Sequence, residues 1–105
     1  MSEPVVTPWP HDEPPTAAAL EAVLRGEGLS PEWWQNSPHD RYTTHRHTYH
    51  KVLFCLSGSI TFLLPATDER FDLTPGDRLD IPPRTDHSAL VGPRGVRCVE
   101  SPRWE

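Results

Sequence analysis

Short apolar segments separated by turn residues make up the chain from Arg41 onward. The segments are rich in β-branched, aromatic and aliphatic residues, and Ile60, Phe62 and Leu64 alternate so that they share one face of a strand. Regularly spaced strands predict an antiparallel β-barrel, and one barrel only, because the pattern contains no internal repeat. The predicted strands are Arg41–His47, Lys51–Leu56, Ser59–Leu64, Arg70–Leu73, Arg78–Ile81, Ser88–Val91 and Val96–Val99.

The first 27 residues differ in composition from the predicted strands. Residues 1–15 contain five prolines, which predicts an extended arm lying on the surface of the domain or on a partner. Residues 16–27 predict a short helix that Thr16 caps at its N-terminus and that Gly26 and Gly28 end. One apolar stripe of this helix consists of Leu20, Val23 and Leu24.

Trp33 and Trp34 are adjacent, so on an extended chain their side chains point in opposite directions. We expect one indole to fill the barrel and the other to cover its outer face or a dimer interface, with stacking against a ligand as the alternative. The chain therefore divides into an N-terminal arm with a short helix, residues 1–30, and a β-barrel, residues 31–105.

The composition of the 105 residues narrows the possible functions. A net charge of -5 and scattered arginines disfavour nucleic-acid binding, which needs clustered positive charge. The longest apolar run, Val52–Leu56, is far too short to span a bilayer, and the first ten residues lack the pattern of a secretion signal. We therefore expect a cytoplasmic protein without a membrane partner. We expect Cys55 and Cys98 to be reduced core residues, with a disulfide or a thiolate metal ligand as the alternative.

A pair of histidines gives the clearest sign of chemistry. His45 and His47 are two residues apart in a strand-like segment, which places both imidazoles on one face. Two adjacent imidazoles can chelate one divalent ion of zinc, copper, iron or nickel. The pair alone is a weak signal, because such pairs on surface strands are often incidental.

Two stretches of the chain resemble the two sequence motifs of the cupin superfamily. The first motif reads His-x-His, three or four residues, Glu, six residues and Gly, and its spacing is matched by His45, His47, Lys51 and Gly58. The second reads Gly, five residues, Pro, x, Gly, two residues, His, three residues and Asn, and its spacing is matched by Gly76, Pro82, Arg84, His87 and Val91. The first motif is also preceded by a glycine, and His39 stands at that position here. In the second motif, Arg84 stands at the position of the second glycine.

The resemblance covers residues 39–100 and is to small single-domain bacterial cupins. It implies an all-β fold, a single antiparallel β-barrel of the jelly-roll type, preceded here by the short helix and the proline-rich arm. It also implies a metal site, because cupins bind a metal through two histidines and the glutamate of the first motif and the histidine of the second. The corresponding ligands are His45, His47 and His87.

Lys51 stands where the motif has its glutamate, and an ammonium group cannot ligate a cation. Three imidazoles with open coordination positions still suit a divalent transition metal such as Fe, Zn, Ni or Mn. Alternatively, His50 replaces the glutamate as a ligand, or Lys51 fills the metal position and the protein binds no metal. Strand alternation favours an outward direction for His50.

The resemblance implies a small metal-binding cupin, with oxygenase, isomerase and hydrolase chemistry on a small molecule all open. Lys51 and Tyr49 are the candidate catalytic residues. Lys51 would pair with a substrate carboxylate or with an acidic side chain such as Asp80 or Glu100. The alternative is a non-enzymatic ligand-binding domain or a metal-free structural or regulatory domain. The arm and the tryptophan pair predict a homodimer, because they offer more apolar surface than a small barrel covers alone.

Overall fold

A computed structural model describes residues 3–104 of the chain. It contains seven strands and one helix in these residues, and every strand pair is antiparallel. In chain order the elements are β1 (Val5–Thr7), α1 (Ala17–Gly26), β2 (Glu32–Asn36), β3 (Arg41–His45), β4 (His50–Leu64), β5 (Glu69–Leu73), β6 (Arg78–Ile81) and β7 (His87–Arg103). The helix α1 has ten residues, and no helix within residues 3–104 is long and apolar enough to cross a membrane.

The two long strands β4 and β7 pair along most of their length and form the centre of the sheet. β6 and β5 pair with the first and second halves of β4, and β2 and β3 pair with the two halves of β7. β1 adds to the outer side of β6. The hydrogen-bonded path β1-β6-β4-β7-β2 does not close into a ring over the described residues, although the strands share one central core.

Two apolar clusters lie on opposite faces of β4. The inner cluster includes Leu53 and Cys55 of β4 together with buried residues of β5, β6 and β7. The outer cluster includes the alternate residues Val52 and Phe54, which pack with Leu20 and Leu24 of α1 and with Val99 of β7. The central strand is therefore covered on both sides, and this explains why it reads as a continuous apolar run.

The helix confirms the prediction for residues 16–27. It begins after Thr16, whose Oγ1 accepts a hydrogen bond from the Ala19 amide at 3.1 Å, and this is the expected capping contact. Leu24 is fully buried, whereas Val23 is 39% exposed. The apolar stripe that docks the helix is consequently narrower than the sequence predicted.

The front of the chain contributes two strands that the sequence did not predict. Val5–Thr7 pairs with Arg78–Asp80, so this part of the arm is an edge of the sheet. The segment Glu32–Asn36 pairs with β7, and the alternation within it sends Trp34 toward the inner cluster and Trp33 toward the outer one. The two indoles therefore face opposite sides, in agreement with their adjacency in the sequence.

Candidate metal centre

Three histidines from two distant segments meet at one end of the inner cavity. His45 ends β3, His47 follows it in the loop to β4, and His87 begins β7 directly opposite His45. One ring nitrogen of each lies within 4.8 Å of those of the other two. The ring centroids of His45 and His87 are 4.4 Å apart. The structure thus brings together the three side chains that the motif resemblance selects.

Backbone carbonyls fix two of these rings. Nδ1 of His45 lies 2.7 Å from the carbonyl oxygen of Thr43, and Nδ1 of His87 lies 2.9 Å from that of Thr85. A carbonyl oxygen only accepts, so each Nδ1 carries the proton and donates it. In the neutral rings Nε2 then retains its lone pair, which is the tautomer that a metal ligand requires.

Two of the buried ring nitrogens have no hydrogen-bond partner within residues 3–104. They are Nε2 of His47 and Nε2 of His87. Buried polar atoms in proteins are almost always hydrogen-bonded, because desolvation without a partner costs about 1 to 3 kcal/mol. A divalent cation held between these nitrogens would satisfy both, so the donor set fits a metal.

Burial also keeps these imidazoles in the neutral form. It lowers the pKa of His87 to about 4, with a smaller contribution from the neighbouring His45. It lowers the pKa of His47 as well, and the positive charge of Lys51 acts in the same direction. Neutral imidazole is the form that binds transition metals, so at neutral pH His47 and His87 need lose no proton before binding.

Lys51 lines the cavity beside the histidines and is 8% exposed. Its Nζ lies 3.1 Å from Oε1 of Glu100, and the same oxygen accepts a hydrogen bond of 2.8 Å from the indole Nε1 of Trp34. The residue at the motif's glutamate position therefore contributes a cation that is paired with a carboxylate from the adjacent strand. Asp80, the other carboxylate considered for this lysine, bonds Arg78 and His50 instead.

Tyr49 and His50 follow the histidine pair but lie in different surroundings. The Tyr49 ring stacks on His47, with centroids 4.7 Å apart, and also contacts Trp104. Burial raises the pKa of the Tyr49 hydroxyl. Nε2 of His50 lies 2.8 Å from Oδ1 of Asp80, and His50 is outside the three-histidine cluster. The structure therefore brings Tyr49 against the cluster and leaves His50 apart from it.

A cavity of about 250 Å³ opens beside the cluster. Its lining consists of Trp34, Tyr42, His45, His47, Lys51, Ile60, Phe62 and Glu100. The sequence did not indicate Tyr42, because a register shift between Tyr42 and His45 breaks the alternation of β3. Ile60 and Phe62 could have been identified, since they share one face of a predicted strand.

The loop before β7 helps to hold the cluster through its backbone. The amide of Arg84 donates a hydrogen bond of 2.7 Å to the carbonyl oxygen of His47. Arg84 has a φ of 58°, which glycine adopts most readily, and this position is a glycine in the cupin motif. The neighbouring Asp86 bonds the guanidinium of Arg46 and makes no hydrogen bond with His87.

Comparison with known proteins identifies the fold. No protein-family model matches the sequence, and no curated protein matches it. A cupin superfamily protein from Desulfitobacterium hafniense is similar with a TM-score of 0.64 at 11% identity, over 98% of this chain and 79% of that one. An RmlC-like cupin from Shewanella frigidimarina is similar with a TM-score of 0.60 at 24% identity, over 73% and 68%.

The polyketide cyclase RemF from Streptomyces resistomycificus is a further structural neighbour. Its TM-score is 0.62 at 25% identity, and the match covers 70% of this chain and 54% of the cyclase. These neighbours match the fold of this chain with TM-scores of 0.60 to 0.64, and two of them are cupins. Together with the two matched motif spacings, they show that this chain has the fold of a small cupin domain.

Proposed function

We propose that His45, His47 and His87 bind one divalent transition metal and that a small molecule reaches this metal through the cavity. The observation that carries the proposal is the pair of buried Nε2 atoms on His47 and His87, which lack hydrogen-bond partners within residues 3–104. Both belong to the cluster in which ring nitrogens of the three histidines lie within 4.8 Å of one another. Iron, zinc, nickel and manganese all accept imidazole ligands with open positions.

The protein's own groups supply orientation and shielding at this site. The carbonyls of Thr43 and Thr85 hold two imidazoles in the ligand tautomer, and Tyr49 stacks on the third. A bound metal would supply Lewis-acid or redox chemistry, with open positions for a substrate. Oxygenase, isomerase and hydrolase activities are all compatible with this arrangement. The name of the cyclase neighbour supports a small-molecule substrate.

The test is metal binding by tag-free protein. Elemental analysis and calorimetric titration with Zn²⁺, Fe²⁺, Ni²⁺ and Mn²⁺ should show close to one ion per chain for at least one metal. His87→Gln and His47→Gln should each weaken binding by more than the roughly 10- to 100-fold that loss of a supporting group costs.

His50→Gln is the matched control, because His50 lies next to the motif but bonds Asp80 outside the cluster. It should leave the stoichiometry and affinity unchanged. Loss of metal in this variant would instead identify His50 as the fourth ligand. Absence of binding for all four ions in the wild-type protein would contradict the metal site.

The second candidate function is a metal-free cupin that binds a small ligand or acts as a structural domain. Its support is Lys51, which brings a buried positive charge beside the three imidazoles. Like charges at short range oppose each other strongly in a buried site. The lysine therefore disfavours a cation, whereas the unpartnered imidazole nitrogens favour one.

Lys51→Glu distinguishes these two functions. In a metal site the new carboxylate restores the fourth ligand of the cupin motif, so we expect metal affinity to rise by at least about tenfold, or 1.4 kcal/mol. Lys51→Met is the control, since it removes the charge without adding a ligand, and it should raise the affinity less. Equal affinities for the two variants would mean that position 51 does not reach the metal.

The homodimer predicted from the sequence remains a prediction. Its support is smaller than expected, because Trp33 and Trp34 pack partly within the chain. Within residues 3–104, Trp104 and Val5 are the most exposed of the large hydrophobic residues, at 69% and 54%. Sedimentation at micromolar concentration is the direct measurement of the oligomeric state.

A cytoplasmic location likewise stays a prediction, in keeping with the free buried thiols of Cys55 and Cys98.

A further inference from the structure

We infer that the cavity beside the histidines binds a small planar anion, an aromatic or conjugated carboxylate or phenolate, with its charged oxygen directed toward the histidines and Lys51. The inference names the ligand class for the site of the proposed function and rests on it for one of its two polar contacts. The second contact, through Lys51, is independent of any metal.

The walls of the cavity set the shape of the ligand. Trp34, Tyr42 and Phe62 present aromatic rings, and Ile60 adds an aliphatic surface. Trp34 and Tyr42 meet edge to face, with centroids 6.0 Å apart. Aromatic side chains pack best against flat rings, by stacking or by edge contacts. These walls therefore favour a planar unsaturated molecule over a branched or sugar-like one.

The volume limits the size of the ligand. The cavity measures about 250 Å³. This is below the range of about 300 to 1,000 Å³ that drug-sized ligands need. A molecule with a single ring and one short polar substituent fits this space.

The charges around the cavity favour an anion. Within the lining, the positive charge of Lys51 is paired with the carboxylate of Glu100. A divalent metal bound by the three imidazoles would add about two positive charges, because position 51 supplies no carboxylate. A ligand oxygen with negative charge would compensate this excess, whereas a neutral ligand would leave it buried.

Lys51 is fixed so that it can meet this oxygen. Glu100 receives both the ammonium group and the Trp34 indole N–H, which holds the carboxylate in place. An ammonium group has three donors, and Glu100 is its one ion-pair partner in residues 3–104. Because Lys51 lines the cavity, its other donors are available to a ligand there.

The test uses benzoate as the probe, with benzamide as its neutral isostere and cyclohexanecarboxylate as its non-planar counterpart. Affinities are measured by ligand-observed NMR titration on the metal-free and the zinc-loaded forms of the 105-residue chain. We expect benzoate to bind the metal-free protein at least about tenfold more tightly than either comparison compound, and zinc to strengthen benzoate binding selectively.

Two variants assign the charged contact. Lys51→Met should reduce benzoate affinity by about tenfold or more and leave benzamide unaffected. Glu100→Gln keeps the acceptor for Trp34 and for Lys51 but removes the balancing charge, so it should strengthen benzoate binding. Thermal unfolding of both variants, alone and with the ligands, shows whether they retain the fold.

The outcomes separate this inference from the proposed metal site. Zinc titration is carried out on the same samples, so a failure to bind zinc is seen directly and leaves the metal-free comparison valid. Equal binding of benzoate and benzamide in both forms would overturn the inference, as would tighter binding of cyclohexanecarboxylate. Unchanged benzoate affinity in a folded Lys51→Met variant would remove Lys51 from the site.

Discussion

His39 and Arg84 both adopt the left-handed backbone conformation, with φ of 66° and 58°. Both occupy positions where the cupin motifs carry glycine. A side chain in this conformation costs about 1 to 2 kcal/mol, because Cβ crowds the following carbonyl oxygen. The chain therefore tolerates strain at one position before His45 and at one before His87, and the Arg84 amide still reaches the His47 carbonyl.

Arg84→Gly should increase the free energy of unfolding. Glycine relieves about 1 to 2 kcal/mol of steric cost and loses about 0.4 to 1 kcal/mol through the entropy of the unfolded chain, so we expect a net gain of about 0.5 to 1 kcal/mol. Urea denaturation measures the change. Asp68→Gly is the control, because Asp68 has a φ of 59° but aspartate tolerates this conformation better. A less stable Arg84→Gly variant would contradict the strain argument.

Also at the residue scale, motif spacing was sufficient to select the three histidines, because they are defined by their order in the sequence. The partners of Lys51 could not be chosen in the same way. Glu100 lies 49 positions along the chain, and its contact depends on the register that pairs Lys51 with Pro102 and Leu53 with Glu100. Register is set by the packing of the whole strand pair, which sequence alternation alone leaves open.

At the scale of elements, β4 and β7 differ most from the prediction. Each was predicted as two shorter strands, divided at Ser57-Gly58 and at Gly92–Gly95. In the structure these turn-like residues face each other across the sheet, where the register shifts at Cys55/Ser57 and Gly58/Ile60. Paired irregularities of this kind bend and twist a strand without ending it. Glycine has the same signature in a turn and in a bulge, so the sequence did not separate the two.

Gly58→Ala should destabilise the protein strongly. Gly58 has a φ of 75°, and an added Cβ would lie 2.0 Å from the carbonyl oxygen of Gly95, a backbone atom of the facing strand. We expect a loss of about 3 kcal/mol or more in the free energy of unfolding. Gly26→Ala is the matched control, since a Cβ there meets nothing within 4 Å and alanine favours a helix. Equal stability of the two variants would mean that the bulge can relax.

At the scale of the whole molecule, residues 3–36 contribute to the folded sheet and to its outer cover. β1 and β2 extend the sheet, and α1 packs on the face of β4 opposite the cavity. Glu27 after the helix bonds the guanidinium groups of Arg78 and Arg103, and Arg78 in particular lowers the pKa of the Glu27 carboxyl. Contacts between residues so far apart in sequence leave no local signal. This is why the sequence predicted an arm on the surface of the domain or on a partner and did not predict the strand Val5–Thr7.

If the helix is an integral part of the domain, Leu24→Ala should cost about 3 kcal/mol of unfolding free energy. Leu24 is fully buried against the outer cluster, and removal of a buried leucine side chain costs about 2 to 5 kcal/mol. Val23→Ala is the control on the same helix turn, because Val23 is 39% exposed, and it should cost less than about 1 kcal/mol.

Urea unfolding followed by both tryptophan fluorescence and far-ultraviolet circular dichroism gives the unfolding free energies of the two variants. The two probes should report one transition, since Trp33 packs in the same cluster as Leu24 while most strands lie beyond it. A Leu24→Ala cost as small as that of Val23→Ala would instead show that residues 1–30 attach only loosely to an independently stable barrel.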